Sequence, residues 1–176
     1  MDGAMVPRKK LGELLLEAEA ISRDDLLRAL EEQAATGERL GSVMLRLRII
    51  DAKLLAHMLG EQLDVEAVDF DEMSPTVEAL GRVPADLALR WGCVPVHLDD
   101  STLAVALVDP RDESVIAGLH AHTGLAIKRL VAPQSAIFAA IKRFYQPIIS
   151  SLDIRELRHH LKNLKDDIAR LEAAIG

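Results

Sequence analysis

Cysteine and aromatic residues are both scarce in this chain of 176 residues. Cys93 is the single cysteine, so an intramolecular disulfide is excluded and a reducing cytosolic environment is expected. Aromatic residues make up 3% of the sequence, whereas hydrophobic residues as a whole make up 49%. The core must therefore be built mainly from leucine, isoleucine, valine and alanine.

Other absences limit the possible partners and activities. No run approaches the roughly 20 apolar residues of a membrane span, so we expect no direct membrane insertion. The formal net charge of -7 disfavours binding to nucleic-acid polymers and to anionic membranes. The sequence has no GxxxxGK[ST] phosphate loop, no Ser-His-Asp or paired-carboxylate arrangement, and no histidines at metal-ligand spacing. It predicts a cytoplasmic, non-catalytic protein that does not hydrolyse ATP and needs no cofactor.

A duplication near the N-terminus is the strongest feature. Residues 10–33 (KLGELLLEAEAISRDDLLRALEEQ) and 39–62 (RLGSVMLRLRIIDAKLLAHMLGEQ) share 8 of 24 positions at a constant offset of 29. About one or two identities would be expected by chance, and repeats of this length indicate one supersecondary unit used twice. Each copy predicts a short helix, a turn and a longer helix.

Residues at helix ends support this interpretation. Ser22 and Asp25 have the spacing of a capping box at the start of the first long helix, and Asp51 is suited to cap the second. Gly37 is placed to end the first long helix.

The rest of the chain predicts two further parts. After residue 65 the pattern changes to short β-like runs alternating with helices, which indicates a small sheet covered by helices. The strands are expected at 66–70, 94–98, 102–108 and 125–131, and the main helices at 112–122 and 134–145.

From residue 152 onward, apolar residues recur at spacings of three and four, which is a heptad pattern. This seam either pairs with a second chain, giving a homodimer through 152–176, or folds back on the sheet; the unbroken pattern favours the dimer. The predicted fold is α+β. It comprises a helical subdomain of two tandem helix-turn-helix repeats at 9–64, a small α/β subdomain at 65–147 and a coiled-coil helix at 151–176.

The tandem pattern of R-L-G followed by L-x-x-x-L-x-x-Q resembles the MshEN domain. The runs LAVALVDPRDESVIAGLHAHTG and AIFAAIKRFYQ are similar to the α/β part of the N-terminal region of type II secretion and type IV pilus ATPases. The resemblance covers about residues 9–146 and does not extend to an ATPase domain.

The resemblance implies that the tandem motifs bind cyclic di-GMP, whose two guanines and two phosphates are related by a two-fold axis. The glycines would let the backbone approach the ligand, the basic residues would stack on guanine or meet phosphate, the glutamine amides would contact base edges and the leucines would form an apolar floor. The implied site residues are Lys10, Leu11, Gly12, Leu26, Leu30, Gln33, Arg39, Leu40, Gly41, Leu55, Leu59, Gln62 and Asp109.

Each of these residues also has an ordinary structural interpretation. The leucines could belong to the core, the glycines could permit close helix packing, and the glutamines could be surface residues. Asp109 precedes a proline and could simply form a turn after a strand.

Three positions depart from the family pattern. Lys10 stands where the family prefers arginine, and lysine lacks the planar fork of a guanidinium. Glu19 and Arg48 replace a glycine between the two helices of each copy. If those turns need a positive φ, each replacement costs about 1 kcal/mol, and Glu19 adds negative charge near a dianionic ligand.

Two functions remain open from the sequence. The first is a regulatory module that binds cyclic di-GMP and acts on protein components of secretion, pilus or motility machinery. The alternative is a protein–protein interaction adaptor of the same fold that has lost nucleotide binding. Titration calorimetry with the nucleotide distinguishes them.

Overall fold

A computed structural model of the chain describes residues 9–146. The chain divides into two compact units, Met1–Ile141 and Lys142–Gly176, and nearly all described residues belong to the first. The predicted coiled coil at 151–176 lies outside the described residues. The predicted boundary between residues 64 and 65 falls within the first unit and stays a prediction.

The duplicated segment forms four helices, a short one followed by a longer one in each copy. Their buried side chains form one apolar cluster, in which Leu15, Val43 and Met44 are fully buried. This cluster contains no aromatic residue, whereas Phe70 and Tyr145 are buried elsewhere in the described chain. The helices are α1 (Leu11–Glu17), α2 (Arg23–Thr36), α3 (Leu40–Arg46) and α4 (Ala52–Leu63).

The predicted helix ends are confirmed. The Ser22 hydroxyl accepts a hydrogen bond from the Asp25 backbone N–H, and the Asp25 carboxylate accepts one from the Ser22 N–H, which completes the capping box. The Asp51 carboxylate accepts from the backbone N–H of Leu54 and caps α4. Gly37 ends α2 with a left-handed φ of 72°.

The described chain after residue 64 contains four strands: β1 (Glu66–Ala67), β2 (Cys93–Asp99), β3 (Thr102–Leu107) and β4 (Ala126–Val131). They form a mixed sheet in the order β1-β4-β3-β2. β4 is parallel to both β1 and β3, whereas β2 and β3 form an antiparallel pair. The helices of this part are α5 (Val77–Leu80), α6 (Ala85–Trp91), α7 (Glu113–Thr123) and α8 at 134–146.

The predicted strand at 66–70 is wrong in length, because β1 contains only two residues. Asp69 accepts a hydrogen bond from the backbone N–H of Asp71, and the N–H of Met73 bonds back to the Asp69 carbonyl. A side chain that bonds to the backbone two residues ahead stabilises a turn, which competes with strand pairing. The chain therefore leaves the sheet soon after Ala67.

The parallel strands determine where a ligand site can form. Leu107 at the end of β3 is paired with Val131 at the end of β4, so the segments that follow both strands leave the sheet at the same edge. In open α/β sheets, ligands bind at the carboxyl ends of parallel strands. Asp109 lies two residues beyond β3, at this edge.

Candidate functional site

A cleft of about 320 Å³ lies between the duplicated helices and the carboxyl edge of the sheet. That volume is near the lower end of the ~300–1,000 Å³ typical of ligand pockets. Eight of the thirteen predicted site residues line it: Leu11, Gln33, Arg39, Leu40, Gly41, Leu55, Leu59 and Asp109. The fold thus brings together residues spread over about 100 positions of the sequence.

Arg39 connects the helical segment to the sheet edge. It immediately precedes α3, and its Nη1 donates a hydrogen bond to the carbonyl oxygen of Val108 at 3.3 Å. Val108 follows β3 directly, so the guanidinium is anchored one residue before Asp109. Arg39 is otherwise exposed and can face a ligand in the cleft.

Asp109 is held by Arg111 in the turn after β3. Its Oδ1 accepts from the Arg111 backbone N–H at 3.1 Å and from Nε at 3.2 Å, and its Oδ2 accepts from Nη2 at 3.4 Å. Burial alone would raise the pKa of Asp109, but the Arg111 hydrogen bonds and the charges of Arg111 and Arg39 outweigh it and hold that pKa below its usual range. The carboxylate is therefore ionised at neutral pH. The turn predicted at Asp109 is present, and its side chain also faces the cleft.

The apolar side of the cleft is built by the second motif. A Cβ placed on Gly41 would lie 2.8 Å from Leu55 Cδ1, so the absence of a side chain lets the long helix pack directly on α3. Leu55 is 2% exposed, and Leu59 is half-buried one turn further along α4. The structure therefore shows the packing role that the sequence left open for Gly41, and a ligand contact remains a prediction.

The first motif contributes less to this cleft than the second. Five predicted site residues do not line it: four from the first motif, Lys10, Gly12, Leu26 and Leu30, and Gln62 from the second. A Cβ on Gly12 would lie 2.7 Å from Leu26 Cδ1, which repeats the packing seen at Gly41. Leu30 keeps 41% of its surface exposed, whereas its counterpart Leu59 lines the cleft. The cleft thus contains five of the six predicted residues of the second motif, together with Leu11 and Gln33 of the first motif and Asp109.

The two turns that lack the family's glycine are left-handed. Glu19 has a φ of 53° and Arg48 a φ of 56°, at equivalent places in the two copies. Both turns therefore need a positive φ, and each position carries the conformational cost of a side chain in the left-handed region.

Several residues around the cleft were not predicted from the sequence. Arg111, Ser42 and Gln134 line it, and an adjoining cleft of about 490 Å³ contains Arg39, Ser42, Gln134 and Phe138. Phe138 is 39% exposed. Arg111 could have been suspected from its place beside Asp109. Gln134 and Phe138 lie at the start of α8, outside the duplicated segment, so the repeat gives no indication that they reach these clefts.

Other candidate chemistry is weak among residues 9–146. Cys93 is fully buried, and burial raises the pKa of its thiol to about 12, so it is an inert core residue. Within this part of the chain, no three histidine, cysteine or acidic side chains are grouped to hold a metal ion. None of its helices is both long enough and apolar enough to cross a bilayer.

Similarity to known proteins agrees with this architecture. The MshEN domain family matches residues 63–151, that is, the sheet-bearing part. Over 136 residues the chain is 32% identical to the type IV pilus assembly ATPase PilB of Myxococcus xanthus, which is 77% of this chain and 24% of that protein. It is 29% identical over 140 residues to the type II secretion system protein E of Xanthomonas campestris, covering 77% of this chain and 25% of that one.

Two solved structures share the fold. The structure of MshE with cyclic di-GMP superposes with a TM-score of 0.63 and 27% identity, covering 78% of this chain and all of that one. The N-terminal domain of XpsE gives a TM-score of 0.54 and 27% identity, covering 77% and 93%. The chain therefore belongs to the MshEN domain family. It is similar to the N-terminal domains of pilus and secretion ATPases, and spans about a quarter of the length of those two ATPase relatives.

Proposed function

We propose that this chain is a non-catalytic, cytoplasmic regulatory module that binds cyclic di-GMP and acts on secretion, pilus or motility machinery. The observation that supports this most directly is the cleft that gathers Arg39, Asp109 and the leucines of the second motif. Its fold is shared with MshE, which has been solved with cyclic di-GMP. The proposed organisation keeps the three parts at 9–64, 65–147 and 151–176, with the last forming a homodimer.

The cleft offers the chemistry that a guanine nucleotide requires. The Arg39 guanidinium can pair with a phosphodiester or stack on a guanine ring. The Watson–Crick edge of guanine carries two adjacent N–H donors, which match an ionised carboxylate such as Asp109. Leu55 and Leu59 provide an apolar surface for the flat face of the base.

A dinucleotide needs room for a second base. The adjoining cleft meets the first at Arg39, Ser42 and Gln134, and Phe138 contributes an exposed ring there. Base stacking on an aromatic side chain contributes about 1–3 kcal/mol. We therefore place one guanine against Asp109 and the second beside Phe138, with the phosphates near Arg39.

The adaptor alternative is favoured by the exposed leucines of the first motif. Leu27 is 58% exposed and Leu30 is 41% exposed, both on α2. Apolar side chains that neither reach the core nor line the cleft suit a protein partner. In this alternative the fold is retained and the cleft remains without a nucleotide.

Titration calorimetry of the full chain with cyclic di-GMP tests the proposal, with GMP and cyclic di-AMP as control ligands. We expect saturable binding of cyclic di-GMP, weaker binding of GMP because it lacks the second nucleotide, and weaker binding of cyclic di-AMP because adenine lacks the guanine donor pair. Absence of binding heat for cyclic di-GMP, with the protein folded, would leave the adaptor as the better account.

A further inference from the structure

Arg111 supplies a second guanidinium to the cleft that Arg39 also lines. The charged side chains that line the cleft are these two arginines and Asp109, so the cleft carries a local excess of positive charge in a chain whose formal net charge is -7. Lys10, the basic residue that opens the first motif, does not line it.

The Arg111 side chain is placed to change partners. It is 63% exposed, against 34% for the Asp109 side chain that it contacts through Nε and Nη2. Asp109 Oδ1 is also held by the Arg111 backbone N–H at 3.1 Å. The turn therefore keeps a hydrogen bond when the guanidinium leaves the carboxylate.

The loop that carries both residues is fixed from the neighbouring strand. Arg129 of β4 donates to the carbonyl oxygen of Pro110 at 3.1 Å, and it pairs with both carboxylate oxygens of Glu113 at 2.6 and 3.0 Å. A forked pair of this kind fixes orientation as well as distance. The Arg111 backbone thus starts from a fixed position, and only its side chain has to move.

We propose that Arg111 binds a phosphate group of the cyclic dinucleotide, as the second guanidinium of the cleft after that of Arg39. This inference rests on the proposed function. When guanine donates to Asp109, the carboxylate no longer needs the Arg111 fork. The released guanidinium then lies within a side chain's reach of the anionic backbone of the ligand, where phosphate accepts the same fork of donors.

Calorimetric titrations of the full chain with cyclic di-GMP at several salt concentrations test the proposal. Arg111→Gln should weaken binding by about ten- to hundredfold, the usual effect of losing a hydrogen-bonded charge. It should also reduce the salt dependence of the dissociation constant, because one ionic contact is lost. Arg111→Lys should fall between wild type and Arg111→Gln.

Arg90→Gln is the matched control, because it removes the same charge from an exposed position of α6 outside the cleft. It should leave both affinity and salt dependence close to wild type. The proposal is overturned if Arg111→Gln binds as wild type does, binds more tightly, or binds more weakly with an unchanged salt dependence. In the last case Arg111 only positions Asp109. If wild type itself shows no binding, the proposed function fails as well, and this outcome is distinct from the other three.

Discussion

Gln33 and Gln62 make the same hydrogen bond in the two copies of the motif. Gln33 Nε2 donates to the carbonyl oxygen of Glu38 at 3.1 Å, and Gln62 Nε2 donates to that of Lys9 at 3.1 Å. Each acceptor immediately precedes the basic residue that opens the other copy. The end of each long helix is therefore tied to the start of the other copy, and the sequence repeat becomes a reciprocal arrangement in three dimensions.

Alanine at either glutamine should lower the free energy of unfolding by about 0.5–1.5 kcal/mol, the net contribution of one hydrogen bond. Urea unfolding followed by circular dichroism measures the change. Glu31→Ala, at an exposed position of α2, should stay within about 0.5 kcal/mol of wild type. If the glutamine variants are as stable as this control, the reciprocal bonds do not hold the two copies together.

Glycine at the left-handed turns should stabilise the protein. A side chain at a φ of 53° or 56° destabilises the folded state by about 1–2 kcal/mol. Glycine removes this cost, but it also increases the conformational entropy of the unfolded chain, which offsets about 0.4–1 kcal/mol of the gain. Glu19→Gly and Arg48→Gly should each therefore raise the free energy of unfolding by roughly 0.5–1 kcal/mol.

Gly37→Ala serves as the converse control for these turns. Gly37 has a φ of 72°, and a Cβ there would meet nothing within 4 Å, so alanine changes only the backbone preference. It should destabilise the protein. Glycine variants that lose stability at Glu19 and Arg48 would show that those side chains make contributions larger than the backbone cost.

The two motif glycines should differ in their tolerance of alanine. A Cβ at Gly41 would press on Leu55, which is 2% exposed, whereas a Cβ at Gly12 would press on Leu26, which is only half-buried and can turn away. Because overpacking costs about 1–3 kcal/mol, Gly41→Ala should be less stable than Gly12→Ala by about 1 kcal/mol.

A double-mutant cycle identifies the cause of this difference. In a Leu55→Ala background the obstructing methyl groups are gone, so Gly41→Ala should cost nothing further. An equal loss in both backgrounds would place the clash elsewhere than at Leu55.

Residues 152–176 should join two chains through their heptad seam. The helix predicted there would carry seven large apolar residues on one face, and such a face requires a partner surface to leave water. Light scattering should give a dimer mass for the full chain and a monomer mass after deletion of this segment. A full chain that is monomeric at high micromolar concentration would contradict the dimer.

Local features were predicted well from the sequence, because their causes lie within a few residues. The Ser22–Asp25 capping box and the left-handed Gly37 depend on neighbouring backbone groups, and periodicity was enough to locate the strands from β2 to β4. The 66–70 strand was too long because Asp69 bonds into a turn, a preference that the hydrophobic pattern does not reveal.

The composition of the cleft was harder to predict, because it depends on contacts between distant parts of the chain. The motif treats Leu30 and Leu59 alike, yet of the two only Leu59 lines the cleft. Arg111 enters the cleft because it follows β3, which the duplicated motif does not encode. The asymmetry of the two copies therefore comes from the position of the sheet.

The affinity of cyclic di-GMP for Arg39→Ala and for Lys10→Ala, measured by calorimetry at one salt concentration, tests the central claim most directly. Arg39 lines the cleft and Lys10 does not, so Arg39→Ala should weaken binding about ten- to hundredfold and Lys10→Ala should weaken it less. Wild type without binding heat, or Arg39→Ala with wild-type affinity, would contradict the account.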